Sequence, residues 1–210
     1  GFLTIGEECE HPLIIEDLFA RESFYGHFTL IDHASTRTIE INDVQCQSCA
    51  LYSNSVSGGR VFLENVVSTT GIHEDRYTHP NCVFRGQTVW ARQLNAEYAN
   101  EEVVNEGSKL WVLGFKSEGP TTAFVTRNGG STEILGGVFN IGGGETAPAI
   151  INDESNVSIT AASNGYRPSH IFEVPIKETL DGDVRTAEAD AFPKRFSTQY
   201  VIPLYSGRSR

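Results

Sequence analysis

The stretch Ser108–Gly119, SKLWVLGFKSEG, decides the fold, because the pattern at its centre recurs on both sides of it. The pattern reads apolar, any, apolar, any, then Asp, Asn, Gln or Gly, then apolar. Leu110–Phe115 (LWVLGF), Val89–Leu94 (VWARQL) and Val61–Val66 (VFLENV) carry it in succession. Ile39–Val44 (IEINDV) and Leu13–Leu18 (LIIEDL) extend it toward the N-terminus. Val157–Ala162 (VSITAA) and a weaker copy, Glu133–Val138 (EILGGV), extend it the other way. Successive copies start 26, 22, 28, 21, 23 and 24 residues apart. The apolar spacing is two, never three or four, which excludes an amphipathic helix. A repeat of this length built on short alternating strands is the signature of a β-solenoid.

The expected fold is therefore all-β, a parallel β-helix of about seven coils stacked roughly 4.8 Å apart. Each coil carries a companion strand, for example Ala50–Val56 or Thr122–Thr126, and turns at Gly or Asn pairs such as Gly58-Gly59 and Asn128-Gly129. Residues 1–178 form the β-helix. Residues 179–210 comprise an acidic loop, Thr179–Asp190, and a capping strand within Phe196–Tyr205 (FSTQYVIPLY).

Composition narrows the partners. The 210 residues carry a net charge of −11, which speaks against nucleic acid, since phosphate binding needs a basic stripe. No apolar run reaches the roughly 20 residues of a membrane span. There is no Met at all, and the chain reads as a piece of something longer. Cys9, Cys46, Cys49 and Cys82 are an even set, read as two disulfides in an extracellular or cell-surface protein. Zinc at the single CxxC and buried free thiols are the alternatives. Asn156-Val157-Ser158 is a glycosylation sequon if the source secretes through a eukaryotic pathway.

The phrases VWARQLNAE (Val89–Glu97), GSKLWVLGFKSEG (Gly107–Gly119) and RNGGSTEILGGVF (Arg127–Phe139) resemble the pectate-lyase-like superfamily of right-handed parallel β-helices. The resemblance covers roughly Pro12–Tyr166 and implies a secreted or surface protein. It implies a polysaccharide partner and, for a catalytic member, polysaccharide lyase or glycoside hydrolase activity. The Asn-Thr-Asp, Asp-Asp, Gly-His-Gly and Arg-Ile-Lys active-site motifs of the superfamily's polygalacturonase-like members do not occur here. Fold alone does not fix function.

Alternation along each copy sends positions one, three and six inward. In the copy at Glu133 that register puts Glu133 inward with Leu135 and Val138, so either the copy is shifted or a carboxyl is buried; a shift is expected, because an unpaired buried charge is costly. Position five (Asp17, Asp43, Asn65, Gln93, Gly114, Gly137) marks a corner. Its Asx residues are read as turn formers, with a calcium ladder as the alternative and no other cofactor expected. Position two points outward and holds Ile14, Glu40, Phe62, Trp90, Trp111 and Ile134. Phe62, Trp90 and Trp111 are the candidate carbohydrate-binding row.

At position four, Glu64 and Arg92 face each other from adjacent coils, as an ion pair or as the acid and base edge of a groove. The long loop Thr69–Pro80 adds His73, Glu74, Asp75, Arg76 and His79. His73 and Asp75 join Glu64 and Arg92 as candidate catalytic residues, with the loop leaning over the aromatic row. Two functions fit. One is an extracellular carbohydrate-associated β-helix; the other is a non-catalytic module of a fibre, spike or surface assembly. In the second the row is covered by Phe196–Tyr205, by another subunit or by the rest of a parent chain.

Overall fold

The computed structural model describes residues 2–21, 28–70, 79–141 and 147–209. The strands, in chain order, are β1 (Leu3–Ile5), β2 (Leu13–Glu16), β3 (Phe19–Arg21), β4 (Thr29–His33), β5 (Ile39–Asn42), β6 (Gln45–Gln47) and β7 (Ala50–Asn54). Next come β8 (Arg60–Thr69), β9 (Cys82–Arg85), β10 (Thr88–Glu97), β11 (Glu101–Glu106), β12 (Lys109–Glu118) and β13 (Thr122–Arg127). β14 (Ser131–Ile141), β15 (Ile150–Asp153), β16 (Asn156–Gly165) and β17 (Ile176–Leu180) complete the parallel stack. β18 (Asp183–Ala187), β19 (Lys194–Phe196) and β20 (Gln199–Gly207) follow.

The chain is an all-β solenoid of about six turns, against the seven coils expected from the copies. One sheet stacks β2, β5, β8, β10, β12, β14 and β16 in parallel, and the other stacks β1, β4, β7, β9, β11, β13, β15 and β17. The Leu110, Val89 and Val61 copies lie in register, Val89 opposite both Val61 and Leu110. Their inward residues form one continuous core with Ile39, Ile41, Leu63, Leu94, Val112 and Ile159.

The corner at position five has a backbone cause. Asp17, Asp43, Asn65 and Gln93 sit at φ between 50° and 56°, and Gly114 and Gly136 at 79° and 81°. Asp and Asn enter this left-handed region more readily than other residues with a Cβ, and Gly enters it freely. Each such residue bends its strand, so that Glu64 and Asn65 both avoid the core before Val66 returns to it. Asn65 Nδ2 donates to Asp43 Oδ1 at 2.6 Å, one rung of the Asx turn ladder.

The Glu133 copy is indeed shifted by one residue. Thr132 and Ile134 are buried, whereas Glu133 and Leu135 face solvent, with Leu135 53% exposed. Glu133 pairs with Trp111 and Leu135 with Leu113, so Ile134 leaves the outward row and Leu135 leaves the core. Gly136, not Gly137, takes the corner. Gly137 serves another purpose: a Cβ there would lie 2.1 Å from the ring of Phe115, which fills that space in the core. Val138 is then only half-buried and lies opposite Lys116.

At the C-terminal end the parallel order stops. β20 pairs antiparallel with β16, and β18 pairs antiparallel with β17. The acidic stretch Thr179–Asp190, read as a loop, thus contains a hairpin, whose tight turn uses Asp181 and Gly182 at positive φ. Tyr200 and Ile202 of β20 join the core. The cysteines form one bridge, Cys46–Cys49, rather than two. Cys9 is exposed, and Cys82 is a buried thiol whose pKa burial pushes up to about 12.

Candidate functional site

A groove of about 700 Å³ runs along the outer face of the sheet containing β5, β8, β10 and β12. It is built from the two outward columns that strand alternation creates ahead of the corner. Position two supplies Glu40, Phe62, Trp90, Trp111 and Glu133 on successive coils. Position four supplies Glu16, Asn42, Glu64, Arg92, Leu113 and Leu135. The Ala91 and Val112 backbone between them forms the floor, and Asp43 closes one corner.

The expected aromatic row is present and open. Phe62, Trp90 and Trp111 are each 36% exposed. Phe196–Tyr205 does not cover it, because β20 extends the sheet at its far end beside β16. The rings, however, stack on one another. Phe62 and Trp90 have centroids 4.8 Å apart and planes 8° apart, and Trp90 and Trp111 are 5.5 Å and 12° apart. In-register coils place equivalent side chains about 4.8 Å apart, close to stacking distance, so identical positions become a slab of rings. Both faces of Trp90 are therefore occupied. Among the described residues the outer faces of Phe62 and Trp111, toward Glu40 and Glu133, have no aromatic neighbour. The slab presents ring edges to the groove, which carry partial positive charge and, in Trp, an indole N–H donor.

Glu64 and Arg92 are neighbours on adjacent strands and paired, Arg92 Nε donating to Glu64 Oε2 at 2.5 Å. That carboxylate holds the Arg92 guanidinium above its ordinary pKa. Glu16, Glu40 and Glu133 make no salt bridge with any described residue. The groove therefore holds five carboxylates against one guanidinium, itself engaged.

His73 and Asp75, with Glu74 and Arg76, lie outside the described residues. The described ends of that loop do not meet the groove. Thr70 and His79 line a separate cavity of about 110 Å³ together with Cys49 and Phe28. The reason is the corner at Asn65: it separates Glu64, on the groove face, from the strand half that leads into the loop. Sequence reading missed Leu113 and Leu135, exposed by 56% and 53% beside the tryptophans. The signal was there in the period-two pattern, since both follow an inward residue; the misplaced register at Glu133 hid Leu135. Among the described residues no group of three or more His, Cys, Asp or Glu is placed to hold a metal ion. No helix among the described residues is long and apolar enough to cross a membrane.

Comparison of the chain with protein-family models, with curated proteins and with solved structures finds no match.

Proposed function

We propose that this chain is an extracellular carbohydrate-associated β-solenoid, of the right-handed pectate-lyase-like type that its sequence resembles, which binds a polysaccharide along the groove. The observation that carries this reading is the groove itself: long, open and parallel to the coil stack, with aromatic edges, carboxylates, Asn42 and Arg92 along its walls. Its side chains repeat with the coils, a step comparable to one pyranose unit of an extended glycan. Indole N–H groups, carboxylates and Asn42 offer donors and acceptors to sugar hydroxyls, and the apolar slab offers contact area. Binding does not require the rings to act as flat platforms. Glu64 and Arg92, fixed by each other, are the groups nearest to a catalytic pair.

A titration of the chain with an oligosaccharide panel, read by Trp fluorescence, tests the proposal. At least one oligosaccharide should quench the emission saturably, and Leu113→Ser, which removes the apolar groove wall without adding charge, should weaken that response. A flat response to every sugar sinks it.

The exposure of Ile14, Leu113 and Leu135 favours a second reading, a module of a larger assembly whose partner covers this face. Under that reading the chain self-associates or captures a partner protein, and Leu135→Asp abolishes the association while sugars do nothing. Sedimentation velocity over a concentration series separates the two.

A further inference from the structure

We infer that the glycan taken by this groove is one bearing ammonium groups, an oligomer of unacetylated hexosamine, rather than a uronate; the inference rests on the carbohydrate reading above. The aromatic slab is bracketed along its own column by Glu40 at one end and Glu133 at the other. Neither carboxylate has a cationic partner among the described residues, and Glu16 in the neighbouring column has none either. Arg92, the only cation among the described residues that line the groove, is paired with Glu64 at 2.5 Å; Arg60 and Lys109, which open β8 and β12, stand outside that lining. A polyuronate laid in this groove brings one carboxylate per sugar into a site already carrying net negative charge, inside a chain of net charge −11. The partial positive charge of ring edges could attract an isolated anion, but full charges on Glu16, Glu40 and Glu133 outweigh it.

Ammonium groups reverse that balance. Spaced along an extended backbone, they meet Glu40 and Glu133 at the ends of the slab while ring hydroxyl oxygens face the indole edges between them. Apolar contact with Leu113 and Leu135 is available to the sugar C–H faces. Electrostatics chooses among glycans and the slab supplies contact common to all of them.

The test is a competition of backbone-matched probes: a glucosamine oligomer, the same oligomer fully N-acetylated, and a galacturonate oligomer of equal length. Affinities are read by calorimetry at low and at high salt, at a pH where the amines are protonated. The glucosamine oligomer should bind about fivefold or more tighter than its N-acetylated twin, as two exposed ion pairs would give, and salt should close most of the gap. The galacturonate oligomer should not bind measurably. Glu40→Gln combined with Glu133→Gln, both at solvent-facing positions, should erase the difference, so that the two amine-related probes bind equally at either salt concentration. Equal affinity for the two amine-related probes, or binding of galacturonate, overturns this inference and leaves the carbohydrate reading standing. Silence from all three, in a chain whose circular dichroism and melting are intact, overturns both.

Discussion

Val83, Val104 and Val125 on one sheet and Phe62, Trp90 and Trp111 on the other are both outward rows of apolar side chains on neighbouring coils. The valines are almost sealed from water, while each aromatic residue is 36% exposed. The valines form their own small cluster with Ile151, apart from the core to which Phe84, Val103 and Phe124 point from the same strands. Two residues along each strand stands a second column, Arg85, Glu106 and Arg127, paired through Arg85 Nε–Glu106 Oε2 at 2.8 Å and Arg127 to Glu106 Oε1 at 2.6 Å. Partial burial works against the charge of Glu106, yet hydrogen bonds and charge from Arg127 and Arg85 hold its pKa below the usual carboxylate range. On this face the neighbouring charges satisfy one another. On the groove face Glu16, Glu40 and Glu133, and beside the groove Arg60 and Lys109, make no ion pair with any described residue, and the apolar row stays open. The same coil repeat thus makes a finished surface on one side and an unfinished one on the other. An unfinished surface is where a partner is expected.

The largest effect should come from placing a charge in the covered row. Val104→Asp puts a carboxylate between Val83 and Val125 with no partner, and a loss of several kcal/mol is expected in a denaturant melt. Leu113→Asp, an outward site of equal apolarity on the open face, should leave the melt nearly unchanged. Equal losses at the two sites would erase the distinction between the faces.

A smaller effect is expected inside the aromatic slab. Trp90 stacks on two rings and Trp111 on one among the described residues, so Trp90→Ala forfeits one aromatic contact more. It should be the more destabilising of the two by about 0.5–1.5 kcal/mol, the worth of such a contact beyond area. The same order in thermal midpoints, measured without any sugar, shows that the slab is part of the fold as well as of the groove. Identical midpoints would mean that the rings do not stack in solution.

The solenoid was legible because its information is periodic. Leu110, Val89 and Val61 each begin a copy, and the inward set they define is the observed core. The corner was legible too, since Asp17, Asp43 and Asn65 are residues that tolerate positive φ. Legibility failed where one residue of phase decides everything. In TEILGGV the adjacent glycines allow two registers, and local pattern alone does not tell that Phe115 needs the space over Gly137. For the site, the columns followed from alternation, so Glu64 beside Arg92 and the aromatic row could be named in advance. That the rings would occupy each other's faces is a matter of side-chain angle, which spacing does not encode. The burial of the Val83 row was invisible for a similar reason, because an outward valine looks the same whether or not its neighbours close over it.

The covered side also predicts a pH dependence. Glu102 is fully buried on β11, accepting from Thr121 Oγ1 at 3.2 Å, and burial raises its pKa well above the ordinary carboxylate value. In the folded chain it stays protonated at a pH where the unfolded chain has lost that proton. Through this group the folded state binds more protons, so the contribution of Glu102 to stability is highest below the unfolded carboxylate range and declines as pH rises through the window between its two pKa values. Glu102→Gln, which keeps an uncharged side chain of the same shape, should flatten that decline in melts taken across the window. A decline of unchanged slope in the variant would place its origin in another group.

The smallest expected effect on stability belongs to the Arg92–Glu64 pair, and its smallness is what makes it informative. Both groups are on the open face, with Arg92 the more exposed, and two solvated side chains held in one geometry gain little from each other. Arg92→Ala should therefore leave the melting midpoint within experimental scatter, and salt should not change that. Binding is a different matter. Removing the guanidinium frees the Glu64 carboxylate and makes the groove wholly anionic, which should strengthen the hold on an ammonium-bearing glycan at low salt while stability stays put. Calorimetric titration of the variant beside the parent chain reads this directly. A variant that melts much earlier would show that the pair supports the fold, and a variant that binds the amine oligomer more weakly would show that Arg92 itself contacts the sugar.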